Sequence, residues 1–399
     1  MVAYTRADLL TLLAEAAEVE HSLMCQYLFA AYSMKRSGLT DEQQNLVFDW
    51  ERTILLVARQ EMEHLGLVIN LTTAVGGAPT LGHPTFPYPT SLFGHEMALE
   101  PFSVPVLQKF VCFERPDTVH PVDAFCRAAP LTTKPYQTVG ELYERLRTML
   151  IALAAQTPDL FIGPPDAQVV GGQLGTDFPR LGCLGGGYDV FMRPVTDLPS
   201  ALAVIDLVIE QGEGAPMDHE ISHYRRFLDI LQDFEAHSFA AAEQVLSNPT
   251  AAAITNPAAS AVFSLFDEAY GVLLAILARM FSHSDETEDD VAVLRSVAFM
   301  PLMTMGIRPL AELLTTMPAH LPDDGWRAGP SFDSHGPVLV LPHRAAAWTV
   351  LSESLDGLAA RALATAGEPG MPKRLRYIAQ SLNLIAQRLS AGLGMVGAP

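Results

Sequence analysis

The sequence predicts an all-α protein: a helical bundle with long crossover loops, followed by an additional C-terminal helical region. Three observations carry this. Apolar residues recur at three- and four-residue spacing over long stretches, turn residues gather in a few breaks, and no cluster of strand-like alternation is present. The chain has 399 residues, 49% of them hydrophobic, which is enough to bury an extensive core.

The first helix is expected from Arg6 to Arg36, stopped near Gly38. Thr40 and Asp41 then cap a second helix to Val75, ended by Gly76, Gly77 and Pro79. Their short connection makes them an antiparallel hairpin. Residues 78–137 are rich in Pro, His and aromatics with weak periodicity, as a crossover or a cover over a site would be. A third helix is expected over 138–155, a Pro/Gly-rich stretch over 158–199, a fourth helix over 200–213 and a further one over 218–245. Beyond a break at 248–257, four more helical patterns cover 258–282, 291–316, 343–366 and 372–393, with a turn-rich loop at 318–342. The expected division is a bundle with crossover insertions at 1–247 and a C-terminal helical region at 258–399.

The formal net charge of −20 argues against nucleic acid or anionic membrane as a partner, since phosphate-rich surfaces call for a basic field. The N-terminal segment is amphipathic and acidic, unlike a signal peptide. The best membrane candidate, 258–281, carries Asp267 and Glu268 and falls short of a clean apolar span. Cys25, Cys112, Cys126 and Cys183 show no Cys-x-x-Cys spacing, which predicts a reducing, cytoplasmic setting without a disulfide framework. A homo-oligomer is compatible with all of this.

The most informative segment is Glu61-Met62-Glu63-His64, set in a helical stripe of Ile54, Val57, Ala58, Leu65 and Val68. Glu20 interrupts a second such stripe, formed by Leu13, Ala16, Ala17, Met24 and Tyr27. Carboxylates are left in a core only when paired or bound to a metal. Glu and His three apart project from one helix face. Glu20 lies about as far before the hairpin turn as Glu61 lies after it, so the two should face each other. Two carboxylates and an imidazole so placed are the ligand pattern of carboxylate-bridged dinuclear bundles, and these donors suit iron or manganese. Glu18 and Glu63 should point to other, solvated faces. A second half-site is expected from the next helix pair, with Glu141 near Glu210, although Thr138 and Glu141 also read as a capping box. Glu220 and His223 form a second Glu-x-x-His, His223 being the favoured ligand, with Glu144, Asp206 and Glu213 as substitutes. His83, His95 and His120 in the crossover carry less weight. Gly185 to Gly187 lack the setting of a phosphate loop, Met300 to Met305 read as core filler, and no serine or cysteine shows a nucleophile motif.

The runs EVEHSLMCQYLFAAYSMK, ARQEMEHLGLVINLTTAVGG, VGELYERL, IEQGEG and SHYRRFLDI resemble the ferritin-like domain of bacterial iminophenyl-pyruvate (imino acid) dimer synthases. These are the chromopyrrolate-type enzymes of bisindole biosynthesis. The resemblance covers about residues 8–230 in pieces, and less distinctly FDEAYGVLLAIL and the stretch around AGPSF. It implies a ferritin-like four-helix bundle with a metal site carried onto Glu20, Glu61, His64, Glu141, Glu210 and His223. The expected function is that of a non-haem di-iron or di-manganese oxidase or oxygenase. It would use dioxygen or peroxide on a small organic substrate, with oxidative imino acid coupling as the specific version. The competing expectations are metal binding or storage without an organic substrate, and a metal-free helical scaffold.

Overall fold

The computed structural model describes residues 4–82, 84–89, 96–116, 126, 138–172, 190–212, 222–282, 286–333, 338 and 343–396. Their order is α1 (Arg6–Tyr32), α2 (Asp41–Ala74), β1 (Tyr88–Pro89), β2 (Glu96–Met97), α3 (Val104–Phe113), α4 (Val139–Gln156), α5 (Leu198–Gly212), α6 (His223–His237), α7 (Pro257–Met280), α8 (Glu288–Val293), α9 (Arg308–Leu314), α10 (Arg344–Gly367) and α11 (Lys373–Val396). β1 and β2 form a two-residue antiparallel ladder with Tyr88 opposite Met97. Otherwise the architecture is helical, as the periodicity predicts.

The starts of the long helices are written in their caps. Thr5 with Asp8 and Thr40 with Gln43 form capping boxes for α1 and α2, and Asn256 caps α7. α1 and α2 pack as the expected hairpin. α4 and α5 form a second pair, and α1–α4 and α2–α5 contacts close a four-helix bundle. α3 and α6 pair with each other, and α6 touches α2 and α5. On the other side α7 packs on α10, α10 on α11, and α9 reaches α1, so that one hydrophobic core runs through all the layers.

α1 is the central element: every residue from Val19 to Tyr32 is buried. Arg6 fastens its start, donating to the carbonyls of Val75 (2.7 Å), Leu160 (2.5 Å) and Asp159 (2.8 Å). Near its other end Arg36, Glu51, Arg308, Glu312 and Arg374 form an ion-pair network joining the hairpin to α9 and α11. α7 and the 288–314 run are each long and apolar enough to cross a membrane. α7 spends that apolarity on packing: most of it is buried, Asp267 and Arg279 included.

Four sequence expectations change. The helix expected over 291–316 contains two π-helical segments, Leu294–Phe299 and Leu302–Ile307. Each surrounds the carbonyl four residues before a proline, Val297 before Pro301 and Met305 before Pro309. The wider turn accommodates the missing N–H and the ring that a regular helix would not. The helix expected over 218–245 is shorter. α6 starts at His223 behind Ser222, whose side chain accepts the Arg225 N–H, and stops at Ser238 in the left-handed conformation (φ 44°). The crossover contains a helix, α3, that its short apolar run did not signal. Cys112 at its end is joined to Cys126 by a disulfide, with Cα atoms 5.4 Å apart, which corrects the disulfide-free reading.

Candidate metal centre

The buried carboxylates converge. Glu20 from α1 and Glu61 and His64 from α2 place one ligand atom each within 4.8 Å of one another. Glu61, Glu114 and His223 do the same, so Glu61 belongs to both groups. Its Oε2 lies 3.2 Å from His64 Nδ1 and its Oε1 lies 2.8 Å from His223 Nδ1. Glu20 Oε2 is 3.5 Å from His64 Nδ1, and Glu114 Oε2 is 3.5 Å from His223 Nδ1. The two imidazoles stack with centroids 5.5 Å apart. All five side chains are buried.

The outer atoms repeat the pattern. Each histidine turns Nδ1 inward and places Nε2 on a glutamine oxygen: His64 on Gln211 (2.8 Å) and His223 on Gln60 (3.3 Å). Each terminal carboxylate accepts a tyrosine hydroxyl, Glu20 from Tyr143 at 2.5 Å and Glu114 from Tyr27 in a very short bond. Glu20 and Tyr27 lie seven residues apart on one face of α1.

Burial and mutual charge govern the protons. Burial, with Glu61 close by, pushes the Glu20 carboxyl up to about 8. Burial alone would raise Glu61 as well, but the imidazoles of His64 and His223 hold it well below the usual carboxylate range. Burial alone would lower the histidines, yet Glu61 raises His64 well above its ordinary value and His223 to about 9. Burial and the adjacent carboxylates raise both tyrosines. The protons favoured on Glu20 and on the two imidazoles offset the buried charge of Glu61.

These residues fit a dinuclear centre. The donors are carboxylate oxygens and imidazole nitrogens, suited to iron or manganese. Glu20 Oε2 and His223 Nδ1 are buried without a well-formed hydrogen bond, their nearest charged neighbours being other members of the cluster at 3.5 and 2.8 Å. Buried polar atoms are rarely left so, and both face the cluster. Glu114 follows the last turn of α3 and His223 opens α6, each against the helix dipole, an arrangement that calls for compensating charge.

Of the six residues the sequence singled out, the structure brings together Glu20, Glu61, His64 and His223. Glu141 is half-buried at the third position of α4, where its backbone N–H donates to the Thr138 hydroxyl (3.1 Å), the N-cap half of the expected capping box. Glu210 is exposed. α5 buries Ala201, Val204, Ile205, Val208 and Gly212, so its inner stripe lies one residue around from Ala203, Leu207 and Glu210. Gln211, on the 204–208 stripe, reaches His64 instead. α4 and α5 do run antiparallel, with Arg147 bonded to Asp206 at 2.6 Å, which fixes Asp206 and Glu144 on the outside. The second half-site therefore comes from the end of α3 and the start of α6. Glu63 is buried, not solvated, and accepts the Phe191 N–H at 3.2 Å. Glu114 was missed; its signal was a carboxylate directly after the apolar run of 104–113. His83, His95, His120, Glu213, Glu220 and Gly185 to Gly187 lie outside the described residues.

Comparison with known proteins agrees with the helical fold. The ferritin-like family model matches residues 13–232. The chain is 29% identical over 388 aligned residues to dichlorochromopyrrolate synthase from Lentzea aerocolonigenes, covering 82% of this chain and 36% of that protein. It is 30% identical over 371 residues to 2-imino-3-(indol-3-yl)propanoate dimerase from Chromobacterium violaceum, covering 84% of this chain and 34% of that protein. The chain thus spans about a third of the length of these curated relatives. The crystal structure of a ferritin-like protein from Caulobacter vibrioides superposes with a TM-score of 0.50 at 20% identity, covering 74% of this chain and 96% of that one, a likeness of fold alone. The helical bundle and a family match over more than half of its length establish that the chain belongs to the ferritin-like family.

Proposed function

We propose that the chain is a non-haem oxidase that holds two iron or manganese ions and uses dioxygen or peroxide to oxidise a small organic substrate. The observation that carries this reading is the sharing of Glu61 between two buried His–carboxylate groups. Glu61 would bridge, with Glu20 and His64 completing one position and Glu114 and His223 the other. Bound there, such ions supply Lewis acidity and a reversible change of oxidation state. The chain's own groups prepare the site. Tyr143 and Tyr27 orient the terminal carboxylates, and the glutamines orient the imidazoles. Phe110 and Phe227 pack on Tyr27 and keep water from that side. To hold an ion at Nδ1, His64 and His223 would each give up the proton there, so uptake of ions would liberate protons.

The printed activities of the relatives suggest the specific version: coupling of two amino-acid-derived imines, in which a carbon–carbon bond forms and two hydrogens pass to the oxidant. The test is metal content per chain by mass spectrometry, on protein purified without chelator, beside a His64→Ala variant. The loaded protein is then supplied in air with the imine generated from tryptophan by an amino acid oxidase. About two iron or manganese ions per chain, reduced in the variant, together with a product two hydrogens lighter than the summed imines, support the reading. Absence of metal after anaerobic iron and manganese loading would sink it. Metal without coupling would refute the imine version while retaining the oxidase class.

A further inference from the structure

The amide of Gln211 joins two groups with opposite needs. Its Oε1 lies 2.8 Å from His64 Nε2. Its N–H end donates to the Glu63 carboxylate, which also takes the Phe191 N–H at 3.2 Å. With its N–H end on that carboxylate and its oxygen on the ring, the amide could turn over only by setting its oxygen against a carboxylate oxygen and its N–H against the imidazole. With Oε1 fixed toward the ring, His64 Nε2 must carry hydrogen. The nitrogen left without one in the neutral ring is Nδ1, which faces Glu61 at 3.2 Å and Glu20 at 3.5 Å.

We infer that Gln211, held by Glu63, is the positioning residue that sets the His64 tautomer and so turns a bare Nδ1 toward the metal centre. The inference rests on the dinuclear reading and adds Glu63 to it. Glu63 precedes His64 directly, so one turn of α2 would supply the carboxylate shared by both positions, an imidazole to hold one ion and the group that orients that imidazole. An imidazole without this hydrogen bond would divide between two tautomers and be free to rotate. An orienting partner of this kind is worth about ten- to a hundredfold in metal affinity. His223 Nε2 likewise meets a glutamine oxygen, that of Gln60, at a longer 3.3 Å.

The test is Co(II) titration of chelator-stripped protein, followed by its visible absorption and competed against a chromophoric chelator, with circular dichroism as the control for folding. In Gln211→Leu, one of the two Co(II) equivalents is expected to bind about tenfold more weakly or worse, and the other to be unchanged. Gln211→Met, which keeps length and removes the acceptor, replaces it if leucine disturbs the fold. Glu63→Leu should weaken the same equivalent, and the Glu63→Leu/Gln211→Leu double variant should be no worse than Gln211→Leu alone. Glu63→Gln, whose carbonyl still accepts, should restore binding to within about threefold of wild type. Unchanged binding in Gln211→Leu, or additive losses in the double variant, would overturn the inference while leaving the dinuclear reading intact. A wild-type protein that takes up no Co(II) would overturn both.

Discussion

In the proposed dinuclear centre, replacing Glu61 with glutamine should weaken both metal positions at once, whereas the matching change at Glu20 or Glu114 should weaken one. The asymmetry follows from geometry. Glu61 Oε2 faces His64 at 3.2 Å and Oε1 faces His223 at 2.8 Å, while Glu20 approaches only His64 and Glu114 only His223. Glutamine keeps the volume, so packing is conserved and the loss is electrostatic. Removing one charged member of a buried set costs about 3–5 kcal/mol. Taking the lower figure for each oxygen, each ion should bind about two orders of magnitude more weakly in Glu61→Gln. Glu20→Gln should impose a loss of that order on one ion and leave the second within about threefold of wild type. The assay is Mn(II) titration followed by electron paramagnetic resonance, with metal content per chain as a check. Retention of one Mn(II) at wild-type affinity in Glu61→Gln, or loss of both in Glu20→Gln, would refute the shared-carboxylate geometry.

Three further outcomes are expected. In the presence of chelator the protein should lose stability as pH rises from about 6.5 to 9. His223, held near 9 in the fold, keeps a proton there that the unfolded chain releases near 6.5; integrated, this amounts to about 3 kcal/mol, and Glu20, pushed up to about 8, acts in the same direction. Urea melts across that range should show the decline, saturating metal should reverse it, and a flat chelated profile would contradict the protonated cluster. Glu312→Gln should destabilise by about 1–2 kcal/mol, a figure reduced because its arginine partners are partly exposed. Although burial opposes it, Arg36, Arg308 and Arg374 hold the Glu312 carboxyl below its ordinary value; its contribution is therefore present above about pH 4.5 and lost on acidification, and the variant's acid limb should be shallower by equilibrium unfolding. Gly163→Ala should cost about 2–3 kcal/mol, because the added methyl would press on the Thr73 carbonyl behind the Gly163 N–H bond to Ala74 O (3.0 Å); a melting temperature within a degree of wild type would contradict that packing.

What the sequence disclosed was charge in the wrong place. Glu20, Glu61 and His64 stood out because ionisable groups broke apolar stripes, and the hairpin register put them at one level. Glu114 stood out less, since α3 is a ten-residue helix inside a Pro-rich crossover and its carboxylate comes after the helix rather than within its pattern. Gln60 and Gln211 carry no charge, and an amide in a helix has no signature until its partner is known. The phase of α5 was ambiguous because the helix is apolar on most sides, and an error of one residue exchanged Glu210 for Gln211. The π segments depend on where two prolines fall against carbonyls four residues earlier, a relation that hydrophobic spacing does not encode.

The complete burial of α1 from Val19 onward has a mechanical consequence. A helix with one face in solvent can roll under load, because water takes whatever is turned outward. From Val19 to Tyr32, α1 has no such side. Turning it by one residue, about 100°, would carry Glu20 off the cluster and bring His21 away from Tyr270, to which its Nε2 is bonded at 2.5 Å. The layer of α7 and the carboxylate–histidine cluster thus grip the same rod from two directions. The Glu20 carboxylate is aimed partly by packing on the far side of the helix that bears it.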